Sequence, residues 1–246
     1  MAKTPRNLTL EKRITLSPHM VRMTLAGEEL AGFPAGFEGG YVKLRLEDES
    51  VGTAMRTFTI KRFDAERREL DIDMVLHGVS GPAARWAQNV QPGAQVTIMG
   101  PGRVKRLNTE ADWFLLAGDM TALPAIRVNL AALPSYAEGY AVVEAISKED
   151  QTELEHPPGI ELSWVFNPEP TSPNGALPEA VMALPWRTGR ASVWVAGEYG
   201  AARILRGYLR NDRQVDREDL YVSCYWKAGD TDEGMKVAKR SDAEGW

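Results

Sequence analysis

The hydrophobic pattern of this chain changes rhythm once, and that change limits the folds open to it. From Asn7 to about Asn108, apolar residues come in short runs broken by turns, at 8–16, 21–26, 41–46, 55–61, 70–75 and 95–99. Period-two alternation predicts antiparallel strands, and about six of them, with one helix after the fifth, close most simply into a barrel that leaves no exposed edge. Past Asn108 the runs at 113–117, 140–145, 162–166, 192–196 and 220–223 are continuously apolar, as in strands buried on both faces of a parallel sheet. Between them Leu123, Ile126, Leu130 and Leu133 keep helical spacing, Ile204 or Leu205 with Tyr208 or Leu209 do the same, and 176–184 is a weaker helix. The reading is a six-stranded antiparallel β-barrel domain over 1–108 and an α/β nucleotide-binding domain over 109–246 that ends in a basic tail.

Composition narrows the partners. The chain has 246 residues, 43% of them hydrophobic, which is enough for real cores. A formal charge of −5 argues against general nucleic-acid binding, so an anionic ligand must be met by a local patch. One cysteine, Cys224, and three histidines leave no disulfide framework and no structural zinc site. With no signal-like apolar run and no stretch of membrane-spanning length, the expectation is a soluble cytoplasmic protein without a membrane span.

Two motifs lie within residues 55–86. Arg56-Thr57-Phe58-Thr59-Ile60 alternates like a half-buried strand, with β-branched and aromatic residues beside one cation. His77-Gly78-Val79-Ser80-Gly81-Pro82 then leads into the helical run Ala83-Ala84-Arg85-Trp86-Ala87. Ser80 reads as an N-cap and Pro82 as a first-turn residue, which leaves the amides of Ala83 and Ala84 to point outward as an anion site. A planar ring on the first motif and a diphosphate on the second describe a flavin dinucleotide.

These motifs, followed by Gly118-Asp119-x-Thr121-Ala122-Leu123-Pro124-Ala125-Ile126, Ala196-Gly197-Glu198 and Tyr225-Trp226-Lys227-x-Gly229, resemble in order and spacing the siderophore-interacting proteins, a branch of the ferredoxin-reductase-like flavoenzymes. The resemblance implies non-covalent FAD on the barrel and NAD(P)H at the second domain. It places Arg56, Thr57, Phe58 and Thr59 beside the flavin, with Phe58 standing where tyrosine is common. Asp73 and Val75 fall where the family contacts the ribityl or adenosine part, although Asp73 also reads as an exposed strand carboxylate. His77 is a polar contact rather than a metal ligand, and Gly81, Ala83 and Ala84 are backbone donors.

Thr121 and Ala122 would lie where the reduced nicotinamide dinucleotide docks, and the family typically has Glu where Met120 stands. Glu198 is either a ribose or nicotinamide contact or a helix-cap carboxylate. Cys224 reads as inert packing. Lys43, with Lys236, Lys239 and Arg240 of the tail, would form a basic patch for an anionic ferric siderophore. The implied activity is FAD-dependent reduction of ferric siderophore with electrons from NAD(P)H or reduced ferredoxin. The alternatives are a flavin reductase serving another acceptor and a non-catalytic siderophore or flavin binder.

Overall fold

The computed structural model describes residues 4–76, 81–172 and 175–229. The chain divides into two units, Met1–Arg106 with Pro124–Asn129, and Leu107–Leu123 with Leu130–Trp246. In the first unit, strands β1 (Pro5–Ser17), β2 (Met20–Ala26), β3 (Tyr41–Asp48), β4 (Gly52–Asp64) and β5 (Glu69–Val75) precede helix α1 (Pro82–Asn89) and strand β6 (Gln95–Gly102). They form a closed barrel in the order β1-β2-β5-β4-β3-β6. Closure comes from β6, which pairs antiparallel with both β1 and β3. The expected barrel is therefore present, with every edge paired.

Alternation sets what fills it. Leu8 and Leu10 on β1, Val42 and Leu44 on β3, Leu70, Ile72 and Met74 on β5, and Val96 and Ile98 on β6 point into one buried cluster. Each such side chain contributes on the order of 1.5–3 kcal/mol when fully buried. Residues between them on β5 are also buried, because Asp71 and Asp73 sit opposite Thr24 and Arg22 of β2 and are paired there. The Thr24 hydroxyl donates to Asp71 at 2.7 Å, and Arg62 of β4 donates to the same carboxylate at 2.8 Å. Charged residues can be buried on the second face of this strand only because each finds a partner.

The second unit carries a five-stranded sheet in the order β11-β10-β7-β8-β9. Its strands are β7 (Trp113–Asp119), β8 (Glu138–Ala145), β9 (Gly159–Phe166), β10 (Ala191–Glu198) and β11 (Leu220–Trp226), all paired in parallel. Helix α2 (Leu123–Ala131) has its residues Pro124–Asn129 in the first unit, whereas α3 (Ala176–Met182) and α4 (Tyr199–Gly207) belong to the second, α4 running into a π-helical turn at Tyr208–Asp212. All residues of β7 and β10 are buried, as continuous apolar runs require at the centre of a parallel sheet. Pairing of β8 with β7 depends on Gly139, where a Cβ would stand 1.9 Å from the carbonyl oxygen of Phe114.

Strands β7, β8 and β9 extend the sheet in one direction, and β10 then returns to the other side of β7. The order therefore reverses between β7 and β10. In open α/β sheets such a switch point, at the carboxyl ends of the strands, is where a ligand crevice forms.

Candidate functional site

On the barrel, Arg56 and Phe58 are two apart on β4 and share a strand face, opposite Leu44 and Val42 of β3. That is also the face of Ala54 and Ile60. Phe58 is partly buried against the barrel core, so part of its ring stays open. The Arg56 guanidinium is partly buried and donates to the carbonyl of Met55 at 3.1 Å. Thr57 is exposed, and Thr59 is buried opposite Tyr41. Lys43 pairs with Thr57 and with Met99, so it lies on the face opposite to Arg56 and Phe58.

Among the described residues, no side chain caps the start of helix α1. The cap residue is Gly81, not Ser80 as expected, because the Gly81 backbone is extended while its carbonyl accepts the first intrahelical bond, from the amide of Arg85 at 3.0 Å. Pro82 stands at the start of this turn. The amides of Ala83 and Ala84 precede that first bond, which makes this end a ready anion cradle. Arg85 fastens the helix to β3 through two bonds to Asp48, at 2.8 and 2.9 Å, and the pair holds the Asp48 carboxyl well below its usual range. Trp86 packs on the barrel core, as a packing residue should.

Other barrel candidates take different places. Asp73 is buried, not exposed, and both its oxygens accept from Arg22, at 2.7 and 2.8 Å. That ion pair occupies the carboxylate, whatever else approaches the strand. Val75 ends β5 opposite Met20. His77 and Ser80, and Lys236, Lys239 and Arg240 of the tail, lie outside the described residues.

At the carboxyl end of the second sheet, one carboxylate collects four donors. Asp119, the last residue of β7, accepts from the Thr121 amide at 2.8 Å and the Thr121 hydroxyl on Oδ1, and from the Glu198 amide and the Trp226 indole Nε1, each at 2.8 Å, on Oδ2. Burial pushes its pKa up, and those four hydrogen bonds pull against the rise. Neighbouring Glu144 is raised too, by burial first and by the charge of Asp119 second.

Ala122 is fully buried and gives its amide to the Asp119 carbonyl at 3.0 Å, so it shapes the turn and presents no donor. Glu198 is the helix cap. Its carboxylate accepts from the amides of Gly200, Ala201 and Ala228, and so fills the N-terminus of α4. The two helix starts thus differ: the Glu198 carboxylate occupies amides of α4, whereas among the described residues no side chain caps α1. Cys224 is buried on β11. Among the described residues no group of His, Cys, Asp or Glu could hold a metal ion, and no helix is long and apolar enough to cross a membrane.

The motif around Asp119 points to a nucleotide site without singling out its carboxylate, and the strand that ends at Trp226 resembles the family's flavin-shielding terminal strand. For the carboxylate itself the only local signal was glycine on both sides of the crevice, at Gly118 and Gly197.

A closed six-stranded antiparallel barrel followed in one chain by a parallel α/β sheet is the fold of the ferredoxin-reductase-like flavoproteins. The ferredoxin reductase of carbazole 1,9a-dioxygenase has this fold, with a TM-score of 0.70 at 13% identity over 91% of this chain and 69% of that one. Within the class, the model for the siderophore-interacting FAD-binding domain matches residues 9–54 and 46–105, and that for the siderophore-interacting protein matches 111–229. The chain belongs to the siderophore-interacting protein family. Ferric vibriobactin reductase ViuB of Vibrio cholerae is 32% identical, over 93% of this chain and 92% of that protein. The crystal structure of the siderophore-interacting protein SipS from Aeromonas hydrophila superposes with a TM-score of 0.88 at 34% identity, covering 98% of this chain and 99% of that one.

Proposed function

We propose that this chain is an FAD-dependent reductase of ferric siderophores that releases iron as Fe(II) in the cytoplasm, with electrons from NAD(P)H or reduced ferredoxin. The observation that carries the reading is the start of α1, which no side chain caps among the described residues, together with a cation and a partly buried aromatic ring on one face of β4. The amides of Ala83 and Ala84, with the backbone at Gly81, would hold the diphosphate; Arg56 would grip phosphate oxygens, and Phe58 would stack on the ring, with Thr57 and Thr59 beside it. Bound there, FAD supplies hydride acceptance from the nicotinamide and one-electron donation to iron. Thr121, at the sheet edge, would meet the nicotinamide dinucleotide. No side chain need act as acid, base or nucleophile, because Fe(II) is held more weakly than Fe(III) by oxygen chelators and reduction is itself release.

Anaerobic addition of NADH and then NADPH to the purified yellow protein tests the donor. Bleaching, followed by return of colour with ferric chelate at two irons per nicotinamide oxidised, is the expected result. Bleaching only by reduced ferredoxin would move the donor to a protein. A colourless protein that still binds chelate would make it a carrier.

Lys43, with Lys236, Lys239 and Arg240, would attract the anionic chelate. Because Lys43 lies on the face of β4 and β3 away from Arg56 and Phe58, Lys43→Ala is expected to lower kcat/KM for the chelate about fivefold, the order of one partly exposed charge pair. Flavin content should not change, and the loss should shrink at high salt. Equal loss of flavin and chelate reduction would make Lys43 structural.

A further inference from the structure

We propose that Asp119 is the positioning residue of the nicotinamide crevice, a role that rests on the donor assignment above: one carboxylate ties together the carboxyl ends of β7, β10 and β11 and so sets the walls between which the dinucleotide lies. The switch point of the sheet falls between β7 and β10, which is where a ligand crevice opens in such folds. Oδ2 of Asp119 spans that gap to the Glu198 amide and continues to the Trp226 indole, while Oδ1 holds the turn at Thr121. Three strand ends and the turn leading to α2 are therefore fixed by one group.

The backbone is shaped to admit this carboxylate. Gly197 has φ +151°, and a Cβ there would stand 2.6 Å from Oδ2 of Asp119. A side chain at 197 would push the carboxylate out of the gap. What Asp119 fixes are also the groups that border the crevice: Glu198, whose own carboxylate caps α4 and binds the Ala228 amide, and Trp226, the partly buried last residue of β11. Loss of the Oδ2 bonds would release both walls while leaving the Thr121 turn in place.

Asp119→Asn separates these halves. The asparagine oxygen can keep the two bonds from Thr121, but its NH2 group faces two further donors, the Glu198 amide and the Trp226 Nε1–H, and cannot accept from either. The substitution removes a buried charge, and folding should survive it. Gly197→Ala is the second variant, displacing the carboxylate without deleting it.

In the flavin-loaded enzyme, each variant is expected to raise KM for NADH about tenfold, the order of one lost hydrogen bond. kcat should stay within about twofold, and reoxidation of dithionite-reduced enzyme by ferric chelate should not change. In the amide and indole NH spectrum of the same protein, the Trp226 Nε1–H signal, assigned with Trp226→Phe, should move upfield and lose exchange protection in Asp119→Asn. In the Trp226→Phe background, Asp119→Asn should have a smaller effect on KM than in the wild type.

An unchanged KM with an unchanged indole signal overturns the proposal. So does a lower KM, which would mark Asp119 as a plug in the crevice, or a lower melting temperature with KM intact, which would make the network purely structural. A wild-type protein that NADH and NADPH fail to bleach sinks the donor assignment and this role with it. A wild type that bleaches while Asp119→Asn matches it sinks this role alone.

Discussion

Arg56→Ala is expected to lower FAD affinity by about two orders of magnitude and to yield a nearly colourless protein that folds normally. A charge-assisted hydrogen bond contributes about 1.5–3 kcal/mol. A guanidinium that binds phosphate oxygens in two places therefore supplies about 3 kcal/mol, or roughly 150-fold in Kd. The fold should tolerate the loss because β4 is held by backbone pairing with β3 on both sides of this position. Arg56→Lys keeps the charge but loses the planar fork, so an intermediate loss of about tenfold is expected. Flavin absorbance per protein, FAD titration of the stripped protein and its melting temperature measure the three quantities. Full flavin content in Arg56→Ala, or a fall in melting temperature matching the fall in flavin, would remove Arg56 from the cofactor site.

The fold was legible because it follows from periodicity. All six barrel strands and all five sheet strands lie where alternating or continuous apolar runs place them, and the rhythm changes close to where the sheet begins. Their ends were less legible. The first strand starts at Pro5, ahead of the apolar run, because its opening residues pair with β6, about ninety positions away in the chain. Residues 52–64 form one long strand because each half has a different neighbour, β3 for the first and β5 for the second. Neither extension has a local signal.

Site residues divided in the same way. Arg56 and Phe58 share one face of β4, as their two-residue spacing implies, and α1 starts at Pro82 inside the motif that announced a helix. Glu198 could be read only as cap or contact, since one of its partners, Ala228, is 30 residues on. Asp119 carried no readable role at all: two of its four donors come from residues 79 and 107 positions away. A buried carboxylate and an exposed one look alike until the strands that satisfy it are known.

Asp73 shows what that ambiguity hides, and Asp73→Ala is expected to destabilise the barrel strongly. Its carboxylate is buried, with the side chain 1% exposed against 25% for its partner Arg22. The two residues sit directly opposite on β5 and β2 and share two short hydrogen bonds. Breaking a buried pair by removing one member costs about 3–5 kcal/mol, chiefly because the other charge is left uncompensated. Arg22 keeps some contact with water, so the lower end, about 3 kcal/mol, applies here. In a domain whose whole stability is about 5–15 kcal/mol that is a large fraction, and it corresponds to a fall in melting temperature of about 6–12 °C. Replacing both residues by apolar ones of similar volume, Arg22→Met with Asp73→Leu, should recover most of the loss, since no charge is then stranded. A direct contact of Asp73 with the cofactor requires the opposite pattern. In that case Asp73→Ala would melt normally without flavin and lose FAD affinity, and the double replacement would restore nothing.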